Sequence, residues 1–373
     1  MVIDSWDDAA NGGVVSTRRF SDLLRERGHT VTVLAAGAPV PGKVALPTFY
    51  IPFANGIMRK MRLPFAWPSR RLVEATLARQ DVVHVHFPFY LGIRTITLAR
   101  RMGLPVVSTF HVQAEHLLYN IGIRNQGWVE RIYRFFLRTV YDRSDCVVCP
   151  SAFAEVELKS RGLKAPTQVI SNGVPPTFRP VPPGGGSVPE FGDRFVLLSV
   201  GRLAREKRHE LVIDAVRRSP HEARIQLVIL GDGPMREELE ALGKVLTNPP
   251  VFRFLKTEEL VHWYSAGSLC VHASEVEVEC MSVLEAMACG LPCLIARSSR
   301  SATQQFALSD QYLFESGVVE DLVRKMDQLI DQPEVLAAAR GASVRAAQGY
   351  RIEASLDKLL AVYQSVVQRG RKD

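Results

Sequence analysis

Ser268-Leu-Cys-Val-His272-Ala-Ser274-Glu-Val-Glu277-Val-Glu-Cys280-Met-Ser282-Val-Leu-Glu285-Ala-Met-Ala-Cys-Gly290 begins as an apolar run and ends as a short helical pattern closed by glycine. Ser268–His272 reads as a buried strand, and Ser274–Cys280 as the loop leaving its carboxyl end. In open α/β sheets, ligands bind at that end of the strands. A helix starting there offers unpaired N–H groups and a partial positive charge to an anion. A carboxylate in its first turn then reaches a polyol attached to that anion. Ser282-x-x-Glu285 also fits a capping box, in which Glu285 only caps its own helix. Taken alone, the stretch supports the two readings equally.

The rest of the chain repeats the strand-to-helix pattern. Strands are expected at Thr30–Ala35, Val82–His86, Pro105–Phe110, Cys146–Cys149 and Gln168–Ile170, then at Phe195–Val200, Ile225–Leu230, Val251–Phe254 and Pro292–Ala296. Amphipathic stretches such as Ser16–Arg27, Gly127–Tyr141, Arg208–Arg217 and Met235–Leu242 lie between them. Such alternation is the mark of βαβ units and parallel sheets. The expected class is therefore α/β, with two doubly wound, Rossmann-like domains. The segment 181–194, rich in proline and carrying Gly184-Gly-Gly186, is the linker. Domains are expected at 1–180 and 195–351, and the helical stretch at about 352–373 is able to pack back on the first. The first strand, Met1–Ile3, is short against the five or six residues that are usual.

At 373 residues, 47% of them hydrophobic, the chain is large enough for two cores. No run of eighteen apolar residues is present, and the first residues lack the basic and apolar regions of a signal peptide, so the expected compartment is the cytoplasm. Six cysteines without zinc-like spacing point to buried thiols, and no metal is expected. Charge is uneven: residues 1–180 hold 23 Lys and Arg against 13 Asp and Glu, while 181–373 hold 23 against 26. The basic half suits an anionic partner.

Several candidate residues stand at strand ends. Asn11-Gly12-Gly13 precedes a helix, where glycines admit close approach of a ligand. The spacing of a dinucleotide fingerprint is missing, as is a Walker lysine. Arg202 and Lys207 follow the strand Phe195–Val200 and suit a diphosphate, as a guanidinium fork and a point charge. Gly231, in Leu230-Gly-Asp-Gly-Pro234, makes a tight turn that permits close approach of a flat base or ribose, though alone it is only a turn. His111 ends a strand of the first half and is placed for acid–base work or for a hydroxyl; His84 and His86 read as structural. Arg59, Lys60, Arg62, Trp67, Arg70 and Arg71 form a basic, aromatic stretch without an acid. That chemistry suits an anionic bilayer, a half-buried loop with snorkelling arginines, or single-stranded nucleic acid.

In order and spacing, Asn11-Gly-Gly-Val, Arg27-Gly-His29, His84-Val-His86, Thr109-Phe-His111, Asn172-Gly-Val, Gly201-Arg202 with Lys207, Gly231-Asp-Gly-Pro and Glu277 through Glu285 resemble the retaining, family-four type of GT-B glycosyltransferases. Thr109 to Tyr119 and Ser274 to Glu279 look most like bacterial diacylglycerol glycosyltransferases. The resemblance implies two Rossmann-like domains facing a central cleft, an acceptor-binding one at 1–180 and a nucleotide-sugar-binding one at 195–351. Arg202 and Lys207 would hold the donor diphosphate without a metal. Glu285 would hold the ribose, Glu277 the sugar's 3-hydroxyl and His111 its 6-hydroxyl region. Gly12 and Gly13 would admit the donor, and the backbone at Met281 and Ser282 would complete the phosphate cradle.

The activity so implied is transfer of a hexose, glucose from UDP-glucose, to a lipid hydroxyl such as that of diacylglycerol. It would take place peripherally on the inner face of the plasma membrane, with no cofactor and no nucleic-acid partner. A soluble acceptor, a nucleic-acid-binding protein and an inactive scaffold are the rivals. Cys280 departs from the family, whose members carry glycine there.

Overall fold

The computed structural model describes residues 1–8, 11–49, 65–119, 121–181 and 191–370. The chain divides into two units, Met1–Asn172 with Glu353–Asp373, and Gly173–Ile352.

In the second unit a six-stranded, wholly parallel sheet runs in the order Val251–Arg253, Ile225–Leu230, Phe195–Val200, Leu269–His272, Cys293–Arg297, Leu313–Glu315. Numbered along the chain this is 3-2-1-4-5-6, the doubly wound order, in which the direction of winding reverses between Phe195–Val200 and Leu269–His272. The central strands are largely apolar because both faces are covered. Alternate side chains feed two cores: Leu197, Leu227, Ile229, Val271 and Leu294 point to one, and Val196, Leu198, Val228, Cys270 and Ile295 to the other. The helices His209–Arg218 and Val319–Ile330 close the first core, and Met281–Ala288 closes the second.

The first unit repeats this plan. Val83–Val85, Val106–Thr109, Cys146–Cys149 and Thr167–Val169 form a parallel sheet, and Val33–Ala36 pairs in parallel with Lys43–Leu46. The short first strand joins the two pieces. Val2 bridges both Leu34 and Val85, with Val2 N–H donating to His84 O at 2.8 Å and Ile3 N–H to Leu34 O at 3.1 Å. Its brevity therefore does not cost it a central place. Ile3 is fully buried and packs with Trp6, Val14, Val33 and Phe87. The C-terminal helix Ile352–Gly370 belongs with this unit, through an ion pair from Arg27 to Asp357 at 3.3 Å and a 2.5 Å hydrogen bond between Tyr363 and His84 Nδ1.

Most strands lie within a residue or two of the expected spans. Three features were not expected: the edge strands Lys43–Leu46 and Leu313–Glu315, and the antiparallel pair Thr48–Phe49 with Phe65–Ala66. Among the described residues no helix is long and apolar enough to cross a membrane.

Candidate active site

In the second unit, the loops leaving the two strands at the switch point hold each other. Glu275 N–H donates to Glu206 O at 3.0 Å and Ser274 Oγ to the same carbonyl at 3.1 Å. Arg208 pairs with Glu275 and, through Nε, with Glu210 at 2.7 Å; Arg300 approaches Glu275 at 3.7 Å. Lys207 Nζ donates to Glu277 Oε1. Burial works against the Lys207 ammonium, but Glu277 together with Cys280 and Glu206 outweighs it and holds the lysine above its ordinary range. His209 steadies the turn, with Nδ1 2.8 Å from Ser199 Oγ and Nε2 3.3 Å from Arg202 O. Burial lowers its pKa to about 3, so it is neutral.

Lys207 and Glu277, seventy residues apart in sequence, are thus brought into direct contact, at the same strand ends as Arg202. Gly201 and Gly231 come into close contact. A Cβ on Gly231 would overlap the Gly201 carbonyl, and one on Gly233 would overlap the Leu203 backbone. The freedom of these glycines serves contact between two turns of the chain itself.

The helix Met281–Ala288 begins two residues earlier than a capping box at Ser282 would require. Its N-cap is Cys280, at φ 106°, and no side chain caps it there. Ser282 and Glu285 both lie inside the helix, so the capping-box alternative is removed. Glu285 is nevertheless buried, at 6% exposure, and its charge is one of the causes that raise the Tyr264 pKa, after burial. The Cys280 thiol turns inward, 3.4 Å from His272 Nε2 and 3.3 Å from Ser282 Oγ. His272 Nε2 is also 3.2 Å from Glu277 Oε1. Burial disfavours the imidazolium, but Cys280 and Glu277 around it push its pKa up to about 10. His272, Glu275 and Arg208 were missed in the sequence. Their roles come from how the loops fold back, which no local spacing signals.

At the switch point of the first unit stand three histidines. His84 uses both nitrogens, one on Tyr363 and one on Thr109 Oγ1 at 2.7 Å, as expected of a structural residue. His86 was expected to be structural as well, but it joins His111 instead. His86 Nδ1 and His111 Nε2 lie 3.2 Å apart with the rings stacked, while His86 Nε2 is buried without a hydrogen-bond partner. Burial lowers the His111 pKa to about 4 and holds His86 well below its ordinary value. His111 is therefore neutral near pH 7, fit to accept or donate a hydrogen bond but not to serve as a charged acid. Asp4, at the end of the first strand, was missed. Burial raises its pKa to about 7, and its Oδ2 lacks a hydrogen-bond partner.

Gly12 and Gly13 open the helix Gly12–Glu26 rather than a free turn, and Asn11 Oδ1 accepts from Gly13 N–H at 3.0 Å. A Cβ on Gly13 would stand 3.0 Å from Phe87. Of the basic stretch, Arg59, Lys60 and Arg62 lie outside the described residues. Trp67 is 50% exposed beside Tyr90, Arg70 pairs with Glu74 at 2.9 Å, and Arg71 is exposed.

A second surface of the same character was not foreseen. The helix Gln126–Thr139 buries Val129, Tyr133, Phe136 and Leu137, and exposes Trp128, Arg131, Phe135 and Arg138 along one stripe. Arg131 lies over the Trp128 ring at 5.0 Å.

Comparison with known proteins matches the Glycosyltransferase Family 4 description at residues 10–178 and the Glycosyl transferases group 1 description at residues 186–343. The sulfoquinovosyl transferase of Arabidopsis thaliana is 28% identical over 339 residues, covering 85% of this chain; the chain spans 63% of that relative's length. The alpha-monoglucosyldiacylglycerol synthase of Streptococcus pneumoniae is 24% identical, over 78% of this chain and 68% of its own. The Anabaena protein HepE, solved in complex with UDP-glucose, superposes with a TM-score of 0.76 at 16% identity, covering 98% of each chain, a likeness of fold. With both domain descriptions matched in order and the doubly wound sheet in each unit, the chain belongs to the family-four type of GT-B glycosyltransferases.

Proposed function

We propose that this protein transfers glucose from UDP-glucose to the hydroxyl of a membrane lipid such as diacylglycerol, with retention and without a metal in the reaction. The observation that carries the reading is the Lys207–Glu277 ion pair at the switch point of the second unit. A donor diphosphate arriving at Lys207 and Arg202 replaces Glu277 as the lysine's counter-charge and releases that carboxylate toward the sugar's 3-hydroxyl. The uncapped amides at Met281 and Ser282 add hydrogen bonds to phosphate. Glu285 takes the ribose.

Breaking a glycosyl–phosphate bond builds negative charge on the leaving diphosphate. Fixed cations and aligned amides stabilise that charge without having to reorganise. Holding the acceptor hydroxyl at the anomeric carbon supplies much of the remainder. Retention is accounted for by attack from the face the diphosphate leaves.

The lipid acceptor is supported by the diacylglycerol-directed name of the pneumococcal relative and the UDP-glucose donor by the HepE complex. The excess of basic residues in 1–180 and the arginine and aromatic stripe on Gln126–Thr139 suit the anionic inner face of a membrane. The test is mass spectrometry of products from purified protein, several UDP- and GDP-sugars and a lipid extract. A hexose added to diacylglycerol, lost in Lys207→Ala and Glu277→Ala, is expected. Absence of hydrolysis or transfer from every donor would overturn the reading, and transfer only to soluble acceptors would overturn its lipid half.

A further inference from the structure

Three buried groups of different chemistry meet beyond the strand Leu269–His272. His272 Nε2 lies 3.4 Å from Cys280 Sγ and 3.2 Å from Glu277 Oε1, and the three donor atoms all fall within 4.8 Å of one another. One ring nitrogen carries at most one hydrogen, and that hydrogen points well at only one partner. The thiol also lies 3.8 Å from His272 Nδ1, so it faces the imidazole as a whole, and a thiol, an imidazole and a carboxylate gathered this closely are a set that a common cation can draw together. Zinc bonds of about 2.3 Å to sulfur and about 2.0–2.2 Å to nitrogen or oxygen give tetrahedral edges of about 3.3–3.6 Å, close to both separations.

A second observation is independent of the distances. Cys280 has φ 106°, in the left-handed region where glycine sits without strain. A side chain kept in such a conformation points to a use for that side chain, and here the group it aims inward is a thiol.

We infer that His272, Glu277 and Cys280 bind a divalent cation of zinc type, and that its binding opposes the nucleotide sugar. A thiolate and an imidazole select such an ion over magnesium or calcium. On binding, Cys280 and the His272 imidazolium each give a proton to solvent, leaving a thiolate and a neutral ring nitrogen to hold the ion. The ion takes Glu277 Oε1, and its charge drives the Lys207 ammonium away. A water fills the fourth position. The protein then has two exclusive loadings, the ion on Glu277 or the diphosphate on a released Lys207. The inhibitory half rests on the donor roles proposed for Lys207 and Glu277; the binding half does not.

The experiment titrates the full chain, stripped with a chelator, with Co²⁺ as a spectroscopic probe. Expected are one ion per chain, a sulfur-to-cobalt charge-transfer band and displacement by Zn²⁺. Cys280→Gly, which suits the local backbone, and His272→Gln should each lose the band and about tenfold or more in affinity, the scale that even changes outside the ligand shell can reach. Circular dichroism confirms that both variants are folded. Zn²⁺ should raise the apparent Kd for UDP-glucose in the wild type and not in Cys280→Gly. An absent band, or one unchanged in Cys280→Gly and His272→Gln, overturns the site. UDP-glucose affinity indifferent to saturating Zn²⁺ overturns the inhibition. Ion binding in a protein that takes no nucleotide sugar leaves the site standing and removes the inhibition together with the proposed function.

Discussion

Lys207 and Glu277 form an ion pair across the two loops that leave the switch-point strands, and the Glu277 oxygen that accepts from Lys207 also lies 3.2 Å from His272 Nε2. One carboxylate thus stands between two groups able to carry positive charge, in a place that water barely reaches. Removing Lys207 takes away one of its partners. Full burial of an unpaired charge costs about 3–5 kcal/mol. The Lys207 side chain is 17% exposed and His272 remains, so Lys207→Ala should cost less, about 2 kcal/mol in urea unfolding. The double variant Lys207→Ala/Glu277→Gln should recover part of that loss. A double variant no more stable than Lys207→Ala would show that the pair is not the source of the cost.

Cys280 carries backbone strain. Cys280→Gly should raise stability by about 1 kcal/mol, the scale of a left-handed residue that has a Cβ. Cys280→Val, β-branched and bulkier, should lower it by about 2 kcal/mol or more, combining strain with overpacking. Urea midpoints decide; a glycine variant less stable than the wild type would mean that packing of the thiol outweighs the strain.

Four buried neutral histidines should make the fold acid-labile. His111 titrates at about 4 and His209 at about 3, and His84 and His86 lie well below the ordinary value, burial being the first cause in each. The unfolded chain binds these protons near pH 6.5, so their contribution is whole above that pH and is lost as pH falls toward 4. His111 alone accounts for about 3 kcal/mol. Asp4, raised to about 7 by burial, has the opposite sign: it favours the folded state at low pH, and that help fades as pH climbs from about 4 to about 7. Unfolding midpoints measured from pH 7 to pH 4 should fall, less steeply in His111→Gln and more steeply in Asp4→Asn. A flat profile would contradict the neutral cluster.

The stripe on Gln126–Thr139 predicts a salt-sensitive membrane contact. Vesicles containing anionic lipid should carry the protein on flotation at low salt, and the Trp128 emission should shift to the blue on binding. Trp128→Ser with Phe135→Ser should weaken flotation, and Arg131→Glu with Arg138→Glu should abolish it. Equal binding to neutral vesicles would rule out the charge component.

The sheets were legible because central strands of a doubly wound fold are apolar on both faces, as Phe195–Val200 and Ile225–Leu230 are. Lys43–Leu46 and Leu313–Glu315 escaped notice, being edge strands that carry a charge and have one neighbour each. The places of Arg202, Lys207 and Glu277 beyond strand ends, and of Glu285 in the helix that follows, could be read because residues can be numbered once the strands are found. The convergence of His272, Glu277 and Cys280 could not, since the Ser274–Cys280 loop folds back on its own strand. His86 looked structural from its alternation with His84, and only the strand ending at Thr109 shows that His111 stacks on it. The exposed aromatics of Gln126–Thr139 were hidden in a helix whose other face is equally rich in apolar residues.

On donor binding Lys207 should exchange Glu277 for the diphosphate. Calorimetric titration of UDP-glucose into the wild type and Lys207→Ala tests it most directly, with circular dichroism showing both folded. Expected is saturable binding of one UDP-glucose per chain by the wild type, weakened by at least about tenfold in Lys207→Ala, the 1.4 kcal/mol or more expected of a charge-assisted phosphate contact. Equal affinity in the two proteins, or no binding by the wild type, would contradict it.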